Sequence, residues 1–237
     1  MNWLLWKDYR HNRVVVVAGL LLLLGPYAMV LFAILAGFDE PRDGWASAFV
    51  GAAAYSLFMS QLTVAVVGGN AIAGERVDRS AEFLASLPIT REKIVASKLL
   101  FALAVVAAIW LVNTGVFWSL RATIPGDPDF REEKLAKIAA NIALTGLVFF
   151  CVGWCLSSFL TSPTFSVAGA LVTPLLFVWT YMLVAYLIGE RSPLGPRMSP
   201  AASLFDNFEL SYRIFCLTLA PLCFAIGTRH YLRRVEP

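Results

Sequence analysis

Three groups of residues in this chain have types and spacings that invite chemistry. Cys151 and Cys155 stand four apart, on one face of a helix, an arrangement in which two thiolates can hold a soft metal ion. Glu132 and Glu133, with Lys137 close behind, form an adjacent carboxylate pair, which reads as part of a solvated, charged loop. The stretch 75–98, ERVDRSAEFLASLPITREKIVASK, gathers nine charged residues between two uncharged runs, Gly44–Gly74 and Leu99–Leu120; its chemistry is recognition. Absences narrow the field. The two histidines, His11 and His230, stand near the chain ends, so no histidine-based acid–base or metal centre can be built within the apolar segments. No G-x-x-x-x-G-K-[ST] occurs, so there is no P-loop to cradle ATP phosphates. All four cysteines, Cys151, Cys155, Cys216 and Cys223, lie in apolar segments, where a free cysteine is a small packing residue. We therefore expect no catalytic residue, no metal site and no disulfide framework.

The elements that must position the charged stretch follow from composition. The chain is 59% hydrophobic and 15% charged, with a mean hydropathy of +0.71, whereas soluble domains run at about 25% charged. One soluble core cannot absorb so much apolar side chain; a bilayer can. A net charge of +3 without a Lys/Arg run gives no support to a nucleic-acid partner. Spanning helices need about 20 predominantly apolar residues. The sequence predicts an all-α, polytopic membrane domain over residues 1–237, with six spans at about 14–36, 46–73, 94–120, 138–160, 165–188 and 210–229. The first apolar run, Val14–Leu35, exceeds the roughly 7–15 residues of a cleavable signal core and reads as a retained span. From Ile138 to Gly189 no charge occurs over 52 residues, and the run breaks at 157–166, S-S-F-L-T-S-P-T-F-S, because Pro163 cannot continue a helix interior. Ile214–Thr228 supplies only 15 uncharged residues, short of a hydrocarbon core of about 30 Å; the last span starts near Leu210, with Arg213 snorkelling to the surface.

Lys/Arg placement sets the orientation. The side holding the two termini, the 74–98 loop and the 161–165 turn carries eleven Lys/Arg against eight on the other, which predicts cytoplasmic termini, a cytoplasmic 75–98 segment and external 121–137 and 190–209 loops. Trp3, Trp6 and Tyr9 among the charges of the first twelve residues predict a short helix lying on the membrane surface before the first span.

Taken as a helix, residues 75–87 align Val77, Ala81 and Leu84 on one face, and the pairs Glu75–Arg79 and Arg79–Glu82 sit at helix-supporting spacing. Pro88 ends it. Thr90 is a good N-cap for a new helix with Glu92 in its first turn, leading into the third span. The expected unit is a short amphipathic helix, a sharp Leu87–Pro88 turn and a rigid continuation into the membrane, so that a push on the helix would move spans two and three together. Polar residues within the spans, Gln61, Asn70, Asn113, Asn141, Thr173 and Thr180, either join helices by hydrogen bonds or line a substrate path. With no Asp, Glu, Lys or Arg central in any span, the usual proton relay of ion-coupled transport is absent.

The wording of 74–98 resembles the first cytoplasmic loop of ABC-2 type permeases, the membrane subunits of a class of ATP-binding-cassette exporters. Glu75–Arg76, Glu82, Phe83–Leu84, Ser86–Leu87–Pro88–Ile89–Thr90–Arg91, Ile94–Val95 and Lys98 stand where that family has an acidic–basic pair, an apolar pair, S-(L/P)-P-(I/V)-(S/T)-R, a second apolar pair and a lysine. The opening L-L-W-K-D-Y-R-H-N-R is similar to the family's first amphipathic segment. At Arg79–Ser80–Ala81 the chain departs from the Gly-Thr common after the charged pair. The resemblance implies that this loop is a coupling helix docking in a groove of a separate ATPase subunit, with Glu75, Arg76, Glu82, Phe83, Leu87, Pro88 and Arg91 as contact candidates. It further implies a multi-pass inner-membrane protein acting with an ABC ATPase and a second copy of itself. ATP and Mg would be bound by the partner subunit. The path candidates are Gln61, Asn70, Asn113, Thr173 and Thr180. Glu132–Glu133 with Lys137 resembles the E-E-x-x-x-R of intramembrane CAAX-type proteases only in part, since Lys replaces Arg and the histidines are missing. Two other classes stay open on the residues alone: a membrane scaffold or assembly factor holding a cytosolic protein by the same loop, and a channel or ATP-independent carrier.

Overall fold

Inside hydrocarbon every backbone N–H and C=O must be satisfied within its own segment, so long apolar runs become helices. The computed structural model describes residues 2–37, 42–78, 89–121, 132–190 and 207–233. Its helices are α1 (Asn2–Leu35), α2 (Arg42–Val77), α3 (Arg91–Arg121), α4 (Glu132–Phe159), α5 (Pro163–Glu190) and α6 (Phe208–Arg233). Each of the six is long and apolar enough to cross a membrane. Pro26, Pro174 and Pro221 lie inside helices, tolerated where neighbouring helices re-satisfy freed backbone groups.

Local chemistry sets the helix ends. Gly37 takes a φ of 75° after α1, the left-handed conformation that closes a helix and that a β-carbon opposes. The Thr90 carbonyl accepts from the Lys93 and Ile94 amides at 3.0 and 3.4 Å, opening α3. Pro163 is the first residue of α5, where its missing N–H costs nothing, and only residues 160–162 separate α4 from α5.

Two expectations of local structure are revised. The opening residues are not a separate helix before the span, because α1 runs uninterrupted from Asn2. Its first turns bury Leu4, Asp8 and Asn12, and this packing prolongs the helix beyond the apolar run. The helix expected over 75–87 does not begin at Glu75: residues 75–77 form the last turn of α2, while 79–88 lie outside the described residues.

α2 packs against α1, α3, α4 and α5, and α4 against α2, α5 and α6, so α2 and α4 form the centre. Their backbones approach closely. A β-carbon on Gly68 would stand 2.6 Å from the Phe150 carbonyl oxygen, and one on Gly153 would stand 2.9 Å from the Gly69 amide nitrogen, the small-residue contact on which membrane helix pairs rely. Trp154 is fully buried. Its Nε1–H donates to Thr228 Oγ1 at 3.2 Å, and its ring lies beside Phe150 and Phe224. Antiparallel alternation brings the start of α1, the α2–α3 junction, the α4–α5 turn and the end of α6 to one end of the bundle, called here the proximal end. Lys7 meets Glu75, Arg76 meets the Ser158 carbonyl, and Arg91 meets the Tyr231 carbonyl there.

Candidate functional site

The proximal end holds a group of ionised side chains that the helices bring together from three places in the sequence. α1 supplies Lys7 and Asp8, α2 supplies Glu75 in its last turn, and α3 supplies Ser97 and Lys98. Lys7 Nζ donates to Glu75 Oε1 at 2.6 Å. Lys98 Nζ stands 2.9 Å from the same oxygen and 3.6 Å from Asp8 Oδ1. Ser97 Oγ donates to Asp8 Oδ2 at 3.3 Å. Asp8, Glu75 and Lys98 are only 8%, 6% and 7% exposed, so these charges interact in a low local dielectric. Two cations and two anions balance, the condition under which buried ions are tolerated.

Secondary contacts brace the cluster. Asn12 Nδ2 donates to the Asp8 carbonyl at 3.0 Å. His11 Nδ1 lies 2.9 Å from Asp78 Oδ2, fitted against Gly74, where a β-carbon would approach His11 Nε2 to 2.9 Å. Leu4 and Ile94 are buried together with Ile89 beside them. Asp8, Asn12, Asn70, Glu75 and Lys98 line a cavity of about 20 Å³, room for one water molecule, and the buried Asn12 Oδ1 has no partner among the described residues.

The residues expected to touch a partner separate into two sets. Glu75, Arg76 and Arg91 each make a bond inside the chain. Arg76 donates to the Ser157, Ser158 and Leu160 carbonyls at 3.3, 2.9 and 3.0 Å, capping the C-terminus of α4 with a positive charge. Arg91 Nη1 donates to the Tyr231 carbonyl of α6 at 3.1 Å. Glu82, Phe83, Leu87 and Pro88 lie outside the described residues. The 79–88 segment is therefore flanked by roots tied to α1, α4 and α6.

The polar residues of the spans are largely occupied between helices or within one. Gln61 is buried, donates to the Leu57 carbonyl at 2.9 Å and packs its amide oxygen against Gly146 of α4. Asn113 Oδ1 accepts from the Tyr27 hydroxyl at 2.9 Å, joining α3 to α1. Thr173 donates to its own helix at Gly169. Thr180 is exposed on α5. Asn70 is half-buried and lines both the charged cavity and a cleft between α2 and α5 with Val66, Pro163, Thr164 and Val167. Cys155 contacts Cys223 across α4 and α6, a pairing that the i, i+4 spacing of Cys151 and Cys155 does not reveal. At the opposite end Arg213 bonds Asn141 Oδ1 of α4 at 2.9 Å and Glu209 at 2.6 Å, tying α6 to α4.

Sequence reasoning missed the parts of the cluster contributed by α1. Lys7 entered only as a charge that orients the chain, and Asp8 had no role. The available signal was periodicity: Leu4, Asp8 and Asn12 recur every fourth residue and share a face, so an acid lay on the side that an apolar neighbour marks as inward.

Six membrane-length helices whose charges gather at their ends define a multi-pass membrane protein. Within that class the assignment is narrower: the model of the ABC-2 family transporter proteins matches residues 3–221, and the chain belongs to that family. It is a transmembrane permease, a transport component and not itself a catalytic enzyme. No curated protein matches the sequence.

Proposed function

We propose that this permease is one membrane half of an ATP-driven exporter, and that a separate P-loop ATPase docks on the segment between α2 and α3. The observation that carries this reading is family membership over nearly the whole chain, joined to the buried cluster at the roots of that segment. Force applied to residues 79–88 reaches Glu75 on one side and Arg91 and Lys98 on the other. The buried Glu75–Lys98 and Asp8–Lys98 contacts at 2.9 and 3.6 Å couple those roots to each other and to α1, because separating buried opposite charges is costly. Closure of the ATPase around ATP and Mg would thus move α1, α2 and α3 as a unit. Two copies of the chain form the translocation path between them, in the inner membrane with cytoplasmic termini, as the Lys/Arg bias favours. Phe83 and Leu87 act as apolar anchors in the ATPase groove, with Glu82 setting orientation and Pro88 fixing the turn.

Purification in mild detergent with mass spectrometry of co-purifying proteins tests this. Wild type should carry a P-loop ATPase. A Phe83→Asp/Leu87→Asp variant should lose it at least about tenfold, since two central anchors are removed, with an unchanged unfolding temperature. Arg91 is a poor choice for this test because its guanidinium already holds the end of α6. Equal recovery with both forms overturns the docking assignment; no ATPase with well-folded wild type overturns the exporter.

A further inference from the structure

The inner and outer faces of α1 carry different chemistry. At 100° per residue, Trp3, Trp6, Arg10, Arg13, Val17 and Leu21 fall within an arc of about 80°, and all six are exposed. The opposite arc carries Leu4, Lys7, Asp8, His11 and Asn12, turned to α2 and α3. The outer stripe changes along its length, from aromatic at Trp3 and Trp6, through cationic at Arg10 and Arg13, to aliphatic at Val17 and Leu21. Lys7 and Asp8 on the inner face are ion-paired, and His11 Nδ1 lies 2.9 Å from Asp78 Oδ2. Arg10 and Arg13 have no ion pair or hydrogen bond among the described residues. Trp6 and Tyr9 lie with ring centroids 5.6 Å apart. Arg10 stands about 6 Å along the axis from Val14, the first residue of the apolar run.

We propose that this stripe is a binding site for the headgroup of an anionic phospholipid, with Arg10 and Arg13 holding the phosphate and Trp6, with Tyr9 against it, flanking the headgroup on the side away from the apolar run. Guanidinium forks match phosphate oxygens. Amphipathic rings prefer the interface, and Val17 and Leu21 extend the acyl-chain contact below. A free anion would satisfy the arginines but would leave the aromatic and aliphatic ends of the stripe unused, which is why the lipid is the favoured occupant. The site is independent of the ATPase docking described above, and its test needs no ATPase.

Native mass spectrometry of the full chain, exchanged into mixed micelles with equal phosphatidylglycerol and phosphatidylcholine, reads the preference directly. Wild type should retain phosphatidylglycerol over phosphatidylcholine, and Arg10→Gln/Arg13→Gln should lower that preference by about fivefold for each charge removed. Arg229→Gln/Arg233→Gln, exposed on α6 at the same end, should keep it. Phosphatidylglycerol vesicles should raise the unfolding temperature of wild type over phosphatidylcholine vesicles, and inorganic phosphate added to the latter should not. Four results overturn the proposal: no preference in wild type, equal loss in the α6 variant, stabilisation by phosphate alone, or an Arg10/Arg13 variant that keeps its lipid and loses a bound protein.

Discussion

A carboxylate facing two ammonium groups leaves a different residue of charge depending on which of the three is removed. Glu75 is the shared acceptor of Lys7 and Lys98, and among the described residues Lys98 has Asp8, at 3.6 Å, as its second anion. Glu75→Ala should therefore leave a buried cation poorly compensated and cost about 3–5 kcal/mol, read as a fall in unfolding temperature in detergent. Lys98→Ala should cost a similar amount. The double variant should cost clearly less than the sum, because one missing partner has already broken the pair; strict additivity would show that the contact does not bind α2 to α3. Lys7→Ala should be milder, below about 1 kcal/mol, since its side chain is 26% exposed and screened by solvent. The types of these residues were visible in the sequence, and Glu75 and Lys98 were already within the motif. Their joint burial was not, because contacts across 68 positions, between Lys7 and Glu75, or 89, between Asp8 and Ser97, leave no local pattern.

At the scale of elements, the crossing of α2 and α4 depends on glycine as space and not as flexibility. Gly68 and Gly153 sit where a β-carbon would meet backbone, at 2.6 and 2.9 Å, and backbone does not yield as a side chain does. Gly68→Ala should force the helices apart at a cost of about 1–3 kcal/mol, measured by thermal unfolding. Gly115→Ala on α3, where nothing lies within 4 Å, should be neutral or stabilising by up to about 1 kcal/mol. Equal effects of the two would refute the close crossing. The helices themselves were legible: each of the six spans anticipated at 14–36, 46–73, 94–120, 138–160, 165–188 and 210–229 lies wholly or almost wholly within one helix. Boundaries were missed where packing, and not hydropathy, decides them. α1 starts at Asn2 and α2 reaches Val77, because Asp8 and Glu75 find partners that let charged turns remain helical and buried.

For the whole molecule, the arrangement gathers the start of α1, the α2–α3 junction, the α4–α5 turn and the end of α6 at one end. With that end cytoplasmic, a membrane-impermeant thiol reagent should label Thr161→Cys only after the cell membrane is breached, whereas Asn207→Cys, exposed just before α6 at the opposite end, should react in sealed cells. The reverse pattern would invert the topology. The outermost helices, α1, α5 and α6, expose Leu21, Trp179 and Leu217 among many apolar side chains, as surfaces in contact with lipid or a second copy must.

The sequence by itself determined the number of spans, their helical nature, the placement of charge at helix ends and the likeness of residues 74–98 to a coupling loop. These follow from hydrocarbon as solvent, which acts on each segment separately and so can be read segment by segment. Only the tertiary structure decided that Lys7 and Asp8 close on Glu75 and Lys98, that Arg76 and Arg91 cap neighbouring helices, and that Gly68 and Gly153 set the central crossing. Those facts depend on which helix lies beside which and at what rotation, and the energy that fixes rotation comes from contacts between distant residues that no local run of sequence records.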